Sequence, residues 1–167
     1  MRLGPLLLGF GILVIDAISK FWVDGNLPPM AHFSKYPYGG IGIFQNFLGI
    51  EFSITHLTNK GAAWGAFGDY QFPLLLLRIA LIGGMIIYIL NDQRQKQNPW
   101  PLLFIIAGAI GNVVDYFVYG HVVDMFHFIF WGFDFAVFNV ADAAVTVGIT
   151  WLIALSLFQT EKPQVAE

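Results

Sequence analysis

Cysteine is absent from this 167-residue chain, which excludes disulfides, thiolate metal centres and cysteine nucleophiles. Charge is scarce as well. Asp, Glu, Lys and Arg make up 11% of residues, against about 25% in a soluble globular domain. Acidic residues outnumber basic ones, 11 to 8, for a formal net charge of −3, so nothing points to a nucleic-acid partner. The four histidines contain no His-Glu-x-x-His spacing. There are no internal repeats and no low-complexity tracts. What remains is apolar: 57% of residues are hydrophobic and the mean hydropathy is +0.67. That is the composition of an integral membrane protein, short enough for a single domain over residues 1–167.

Four runs approach the length of about 20 residues needed to cross a bilayer: Leu3–Val23, Phe72–Leu90, Pro101–Tyr119 and Val137–Phe158. The first contains Asp16 and lacks a small-x-small cleavage site, so it reads as a retained helix and not a signal peptide. Arg2, Arg94, Lys96 and Lys162 flank the spans on one side. By the positive-inside rule both termini are cytoplasmic, and the connections Asp24–Gln71 and Gly120–Ala136 face outward. In the first of these, Phe44–Leu57 alternates, with Ile50, Phe52, Ile54 and His56 on one side and Glu51, Ser53, Thr55 and Leu57 on the other. That is a strand pattern within an outer β region over residues 39–63. The aromatic stretch Phe126–Phe135 reads as an amphipathic surface helix or a lid. The expected fold is therefore all-α and membrane-embedded. It has four transmembrane helices, a small extracytoplasmic β-sheet, and a short helix or lid between spans three and four.

At about 1.5 Å per helical residue, Asp16, Arg78, Asp115 and Asp142 all fall in the outer third of a core about 30 Å thick. Ionisable groups at such depth are functional-site candidates. Asn139 lies three residues before Asp142, and Asn112 three before Asp115, so each helix presents an amide beside a carboxylate. One reading is simple helix-to-helix hydrogen bonding. The other pairs Asp142 with Asp124 for acid–base chemistry: two carboxylates held close share a proton near neutral pH and activate water. A metal set at i, i+3, i+6 (His121, Asp124, His127), a proton-coupled transporter and a non-catalytic assembly factor are the competing classes.

Five blocks occur in order: Asp16-Ala17-Ile18-Ser19-Lys20, Asn59-Lys60-Gly61-Ala62-Ala63-Trp64, Gly108-Ala109-Ile110-Gly111-Asn112-Val113-Val114-Asp115, Gly120-His121-Val122-Val123-Asp124 and Phe138-Asn139-Val140-Ala141-Asp142. Together they resemble bacterial lipoprotein signal peptidase (signal peptidase II), an inner-membrane aspartic peptidase family. The resemblance implies that Asp124 and Asp142 are the catalytic pair, and that Asn59, Gly108, Asn112, Asn139 and Ala141 line or support the site. It implies a diacylglyceryl-modified prolipoprotein as substrate, cut just before the lipidated cysteine. Membrane lipids are the other partners, a monomer suffices, and no metal or cofactor is expected.

Asp16 and Asp115 belong to the same polar layer, and Lys20 either pairs with Asp16 on one helical face or reaches lipid headgroups. Two positions depart from the family's pattern. Ala17 stands where Gln is frequent, and Tyr116 stands where an Arg frequently follows the third-span Asp. Arg78 of span two, at similar depth, either replaces that missing cation or snorkels to the surface.

Overall fold

The computed structural model describes residues 3–61, 66–92 and 98–158. Arg2, Arg94, Lys96 and Lys162, on which the orientation rests, lie outside the described residues, as do Ala62–Trp64 of the second block and the tail from residue 159.

Among the described residues, four helices are long and apolar enough to cross a membrane: α1 (Leu3–Asn26), α2 (Gln71–Asn91), α3 (Trp100–Tyr119) and α4 (Val140–Phe158). Their large side chains point outward; Phe10, Phe21, Leu77, Ile87, Phe117 and Leu157 are all more than half exposed. A soluble bundle buries such residues, whereas in lipid the outward face must be apolar. α3 is the central helix and packs against the other three. Ile106 and Leu102 of α3 are buried with Ile89 of α2. Its small residues meet α4 and α1: a Cβ added at Gly108 would collide with the Ala141 carbonyl, and one at Gly111 would lie 2.6 Å from Asp16 Oδ2. Close backbone approach of this kind is how helices associate where lipid removes the hydrophobic drive.

Between the helices, the described residues include a four-stranded antiparallel sheet in the order β1 (Ile41–Phe47), β2 (Ile50–Asn59), β3 (Val122–Phe130) and β4 (Phe133–Asp134). The expected alternating run is thus two strands, because the chain reverses at Leu48-Gly49. The stretch Phe126–Phe135, expected as a surface helix or a lid, is extended chain in β3 and β4. Val122, Val123, Phe126, Phe128, Ile129 and Phe130 are β-branched and aromatic, and they pair with β2 along its length. The fourth helix begins at Val140 and not Val137, because Phe138 bridges to Phe126 of β3 before the helix can start.

The inward face of β2 is polar. Ser53, Thr55 and His56 are buried, while Ile50, Phe52 and Ile54 are half-buried. A register shift between Ile54 and Leu57 sets Thr55 and His56 opposite Met125 alone, as a bulge does, and turns both inward. Val23 of α1 with Val123 and Met125 of β3 forms the apolar joint between helices and sheet. That joint fixes β3 over the bundle.

Candidate active site

Asp142 is held by the start of its own helix. Asn139 Oδ1 accepts from the Asp142 amide at 2.8 Å, and Asp142 Oδ2 accepts from the Asn139 amide at 3.3 Å. This reciprocal pair is a capping box, with the carboxylate on the third residue of the helix. A further orphan amide of the first turn, that of Ala141, donates to Asp16 Oδ1 of α1 at 2.8 Å. A buried acid from one helix therefore completes the N-terminus of another, where negative charge is favoured.

Asp124 is held by the sheet. It stands opposite Leu57, just past the bulge in β2. Asn59, at the end of β2, donates Nδ2 to Asp124 Oδ2 at 2.9 Å and accepts the Gly61 amide on Oδ1 at 2.9 Å. Strand alternation puts Asp124 on the same face as Phe126, Phe128 and Phe130. That face carries an aromatic row: Phe128 stacks on Phe52 with centroids 4.2 Å apart and neighbours Phe130 and Phe138.

Two amides join the carboxylates. Asn139 Nδ2 donates to Asp124 Oδ1 at 2.7 Å and to Asn112 Oδ1 at 3.1 Å. Asn112 Nδ2 donates to Asp142 Oδ1 at 2.7 Å. Each ionised carboxylate only accepts, so each amide must turn its NH2 toward its aspartate. Lys20 holds the other end of Asn112, donating to Oδ1 at 3.0 Å. Its ammonium also contacts Asp16 Oδ2 and Asp115 Oδ2, each at 2.7 Å. Lys20 is fully buried, and its three donors meet three oxygens. Asp115 further accepts from the Val123 amide at 3.4 Å, tying α3 to the residue before Asp124.

Asp16, Lys20, Asn59, Gly108, Asn112, Asp115, Asp124, Asn139, Ala141 and Asp142 thus form one assembly. Burial, and then the Asp142 charge, push the Asp124 carboxyl up to about 7, against the opposing pull of Asn59, Lys20 and Asn139. Both aspartates open on a cavity of about 770 Å³ whose other lining includes Phe135, Val137, Phe138 and Val145. A water there meets two carboxyl groups and an apolar wall.

Some expectations change. The cation beside Asp115 is Lys20. Arg78 instead donates to the Gly61 carbonyl at 3.1 Å and lines the same cavity as the aspartates. His121, Asp124 and His127 do not converge: His127 lies on the opposite face of β3 from Asp124, and its Nε2 is 2.9 Å from Asp134. Gly111, singled out only as part of its block, is needed for the close approach of Asp16. Its signal was the second glycine three residues after Gly108.

The family described as signal peptidase (SPase) II matches residues 8–158. A lipoprotein signal peptidase of Chlamydia pneumoniae is 38% identical over 116 residues, covering 68% of this chain and 69% of its own. One from Streptococcus pyogenes serotype M2 is 34% identical over 145 residues, covering 85% of each. A bacterial membrane enzyme solved at 2.3 Å by the in meso method superposes with a TM-score of 0.78 at 23% identity, over 98% of this chain and 93% of that one. A second, solved at 1.9 Å, gives 0.72 at 24% identity, over 93% and 94%. The four-helix frame with its sheet is therefore shared with solved membrane enzymes, and by sequence the chain belongs to the signal peptidase II family.

Proposed function

We propose that the protein is an intramembrane aspartic endopeptidase that removes the signal peptide from diacylglyceryl-modified prolipoproteins, cutting before the lipidated cysteine. The observation that carries this reading is the pair Asp124 and Asp142, brought from a strand and a helix to one cavity and joined through Asn139 and Asn112. The relatives named as lipoprotein signal peptidases support the substrate.

The two carboxyls share one proton. The ionised one takes a proton from water as its oxygen attacks the scissile carbonyl. The protonated one hydrogen-bonds the carbonyl oxygen and protonates the leaving amine. The proton belongs to the pair, so neither role is assigned to one residue. Asn59, Asn112 and Asn139 position the pair, and Lys20, held by Asp16 and Asp115, fixes Asn112. The apolar cavity wall and the aromatic face of the sheet receive the acyl chains and signal helix. Both termini are cytoplasmic and the site opens toward the outer face of the inner membrane. A monomer contains the whole site.

The test is purified protein with a lipidated prolipoprotein peptide. Asp124→Asn and Asp142→Asn each lower turnover by about 10²–10⁴-fold while the protein stays folded. Full turnover in either variant overturns the assignment.

A further inference from the structure

Asp24 ends α1, His56 lies in the bulge of β2, and His121 follows α3 just before β3. These elements are far apart in sequence, yet one ligand atom from each residue lies within 4.8 Å of the other two. We propose that Asp24, His56 and His121 form a binding site for a divalent transition metal, Zn²⁺ above others, which clamps the sheet to the bundle. The proposal stands whether or not Asp124 and Asp142 are the reacting pair.

The donor set is two imidazole nitrogens and a carboxylate oxygen, the ligand chemistry of zinc. The imidazoles are oriented as metal ligands are. His56 Nδ1 is 2.9 Å from the Leu27 carbonyl, so that nitrogen carries the proton and Nε2 carries the lone pair. His121 is hydrogen-bonded to the backbone of Tyr119. Its Nε2 has no hydrogen-bond partner, so that bond is made by Nδ1. Both Nε2 atoms are buried without a hydrogen-bond partner, a state that among the described residues only His127 Nδ1 shares. His56 is only 5% exposed.

His56 Nε2 is 3.5 Å from Asp24 Oδ1, close to the edge of about 3.3 Å in a tetrahedron with bonds of about 2.0 Å. Asp24 keeps 37% of its side chain exposed, which leaves a path for the ion and a position for water. The site joins α1, which carries Asp16 and Lys20, to the strand before Asn59 and the turn before Asp124. A bound ion there stiffens all three supports of the candidate site at once.

The experiment uses full-length protein purified in detergent without a histidine tag and stripped with chelator. Co²⁺ is titrated against visible absorption, then displaced with Zn²⁺. The expected result is saturation at one Co²⁺ per chain with the strong visible bands of a four-coordinate site, and displacement by Zn²⁺. Saturating Zn²⁺ raises the thermal midpoint by about 5 °C. Asp24→Asn, which alters only a half-exposed carboxylate, and His56→Gln each weaken Co²⁺ binding by about 10-fold or more. They also abolish the Zn²⁺-induced shift. Lack of a saturable Co²⁺ signal in the wild type overturns the proposal, as does unchanged binding in the Asp24→Asn variant.

Discussion

Asn139 and Asn112 connect Asp124 to Asp142 in a continuous chain of side-chain hydrogen bonds of 2.7, 3.1 and 2.7 Å. Asn139 at the same time caps α4. One side chain therefore starts the helix and sets the distance between the two acids.

Those two jobs are separable. Asn139→Ser keeps a good capping oxygen but cannot reach Asp124. Its unfolding temperature should stay near wild type while turnover falls by about 10²-fold, the cost of misplacing a reacting group. Asn139→Ala should lose the cap as well and about 1 kcal/mol of stability. Thermal unfolding and turnover on the two variants check this; equal stability loss in both contradicts the separation.

Lys20 is a buried cation between two acids. Lys20→Met leaves Asp16 and Asp115 buried without it and should cost about 3–5 kcal/mol. Removing the exposed charge of Lys60 should cost little, since solvated lysines contribute about 0–1 kcal/mol. The comparison is made by thermal unfolding in detergent.

Asp124 gives a pH dependence whose sign is opposite to that of a salt-bridged carboxylate. Its carboxyl titrates near 7 in the folded protein, against an ordinary value of 3.8. Between these values the folded state holds more protons than the unfolded one. Stability contributed by Asp124 is therefore full below about pH 4 and declines as pH rises toward about 7. Asp124→Asn should flatten that part of the profile. If Asp124 and Asp142 act as the proposed pair, activity should fall above about pH 7, as their shared proton leaves. Thermal midpoints and initial rates across pH 4–9 measure both.

Gly108→Ala places a methyl against the Ala141 carbonyl at the start of α4. It should destabilise by about 1–3 kcal/mol and reduce turnover, because the backbone beside Asp142 must move. Gly83→Ala in α2, where a Cβ meets nothing within 4 Å, should be neutral or stabilising by up to about 1 kcal/mol. Parallel unfolding and rate measurements on the two variants decide this.

Much of this was legible because lipid punishes charge. Asp16, Asp115 and Asp142 stand out in apolar runs, and a helical rise of constant size brings them to one level. The strand β3 was not legible as a strand. Val122–Phe130 is aromatic and apolar with no polar alternation, a pattern shared by buried strands and interfacial helices. The partner of Asp115 was missed for a related reason. Lys20 was placed on the right helical face, but only packing shows that its reach spans two helices and meets Asn112 as well. Arg78, assigned to Asp115 by depth, turns to the Gly61 carbonyl because depth fixes a level and not an azimuth.

The bond from Ala141 to Asp16 spans 125 residues. A chain made from its N-terminus builds α1 first and α4 last, and long-range contacts form last. Asp16 and Lys20 are therefore in place before the helix they organise exists. Asp142 has no fixed position until that helix docks. The geometry around Asp142 is thus completed by the last helix to be made, docking on a partner made first.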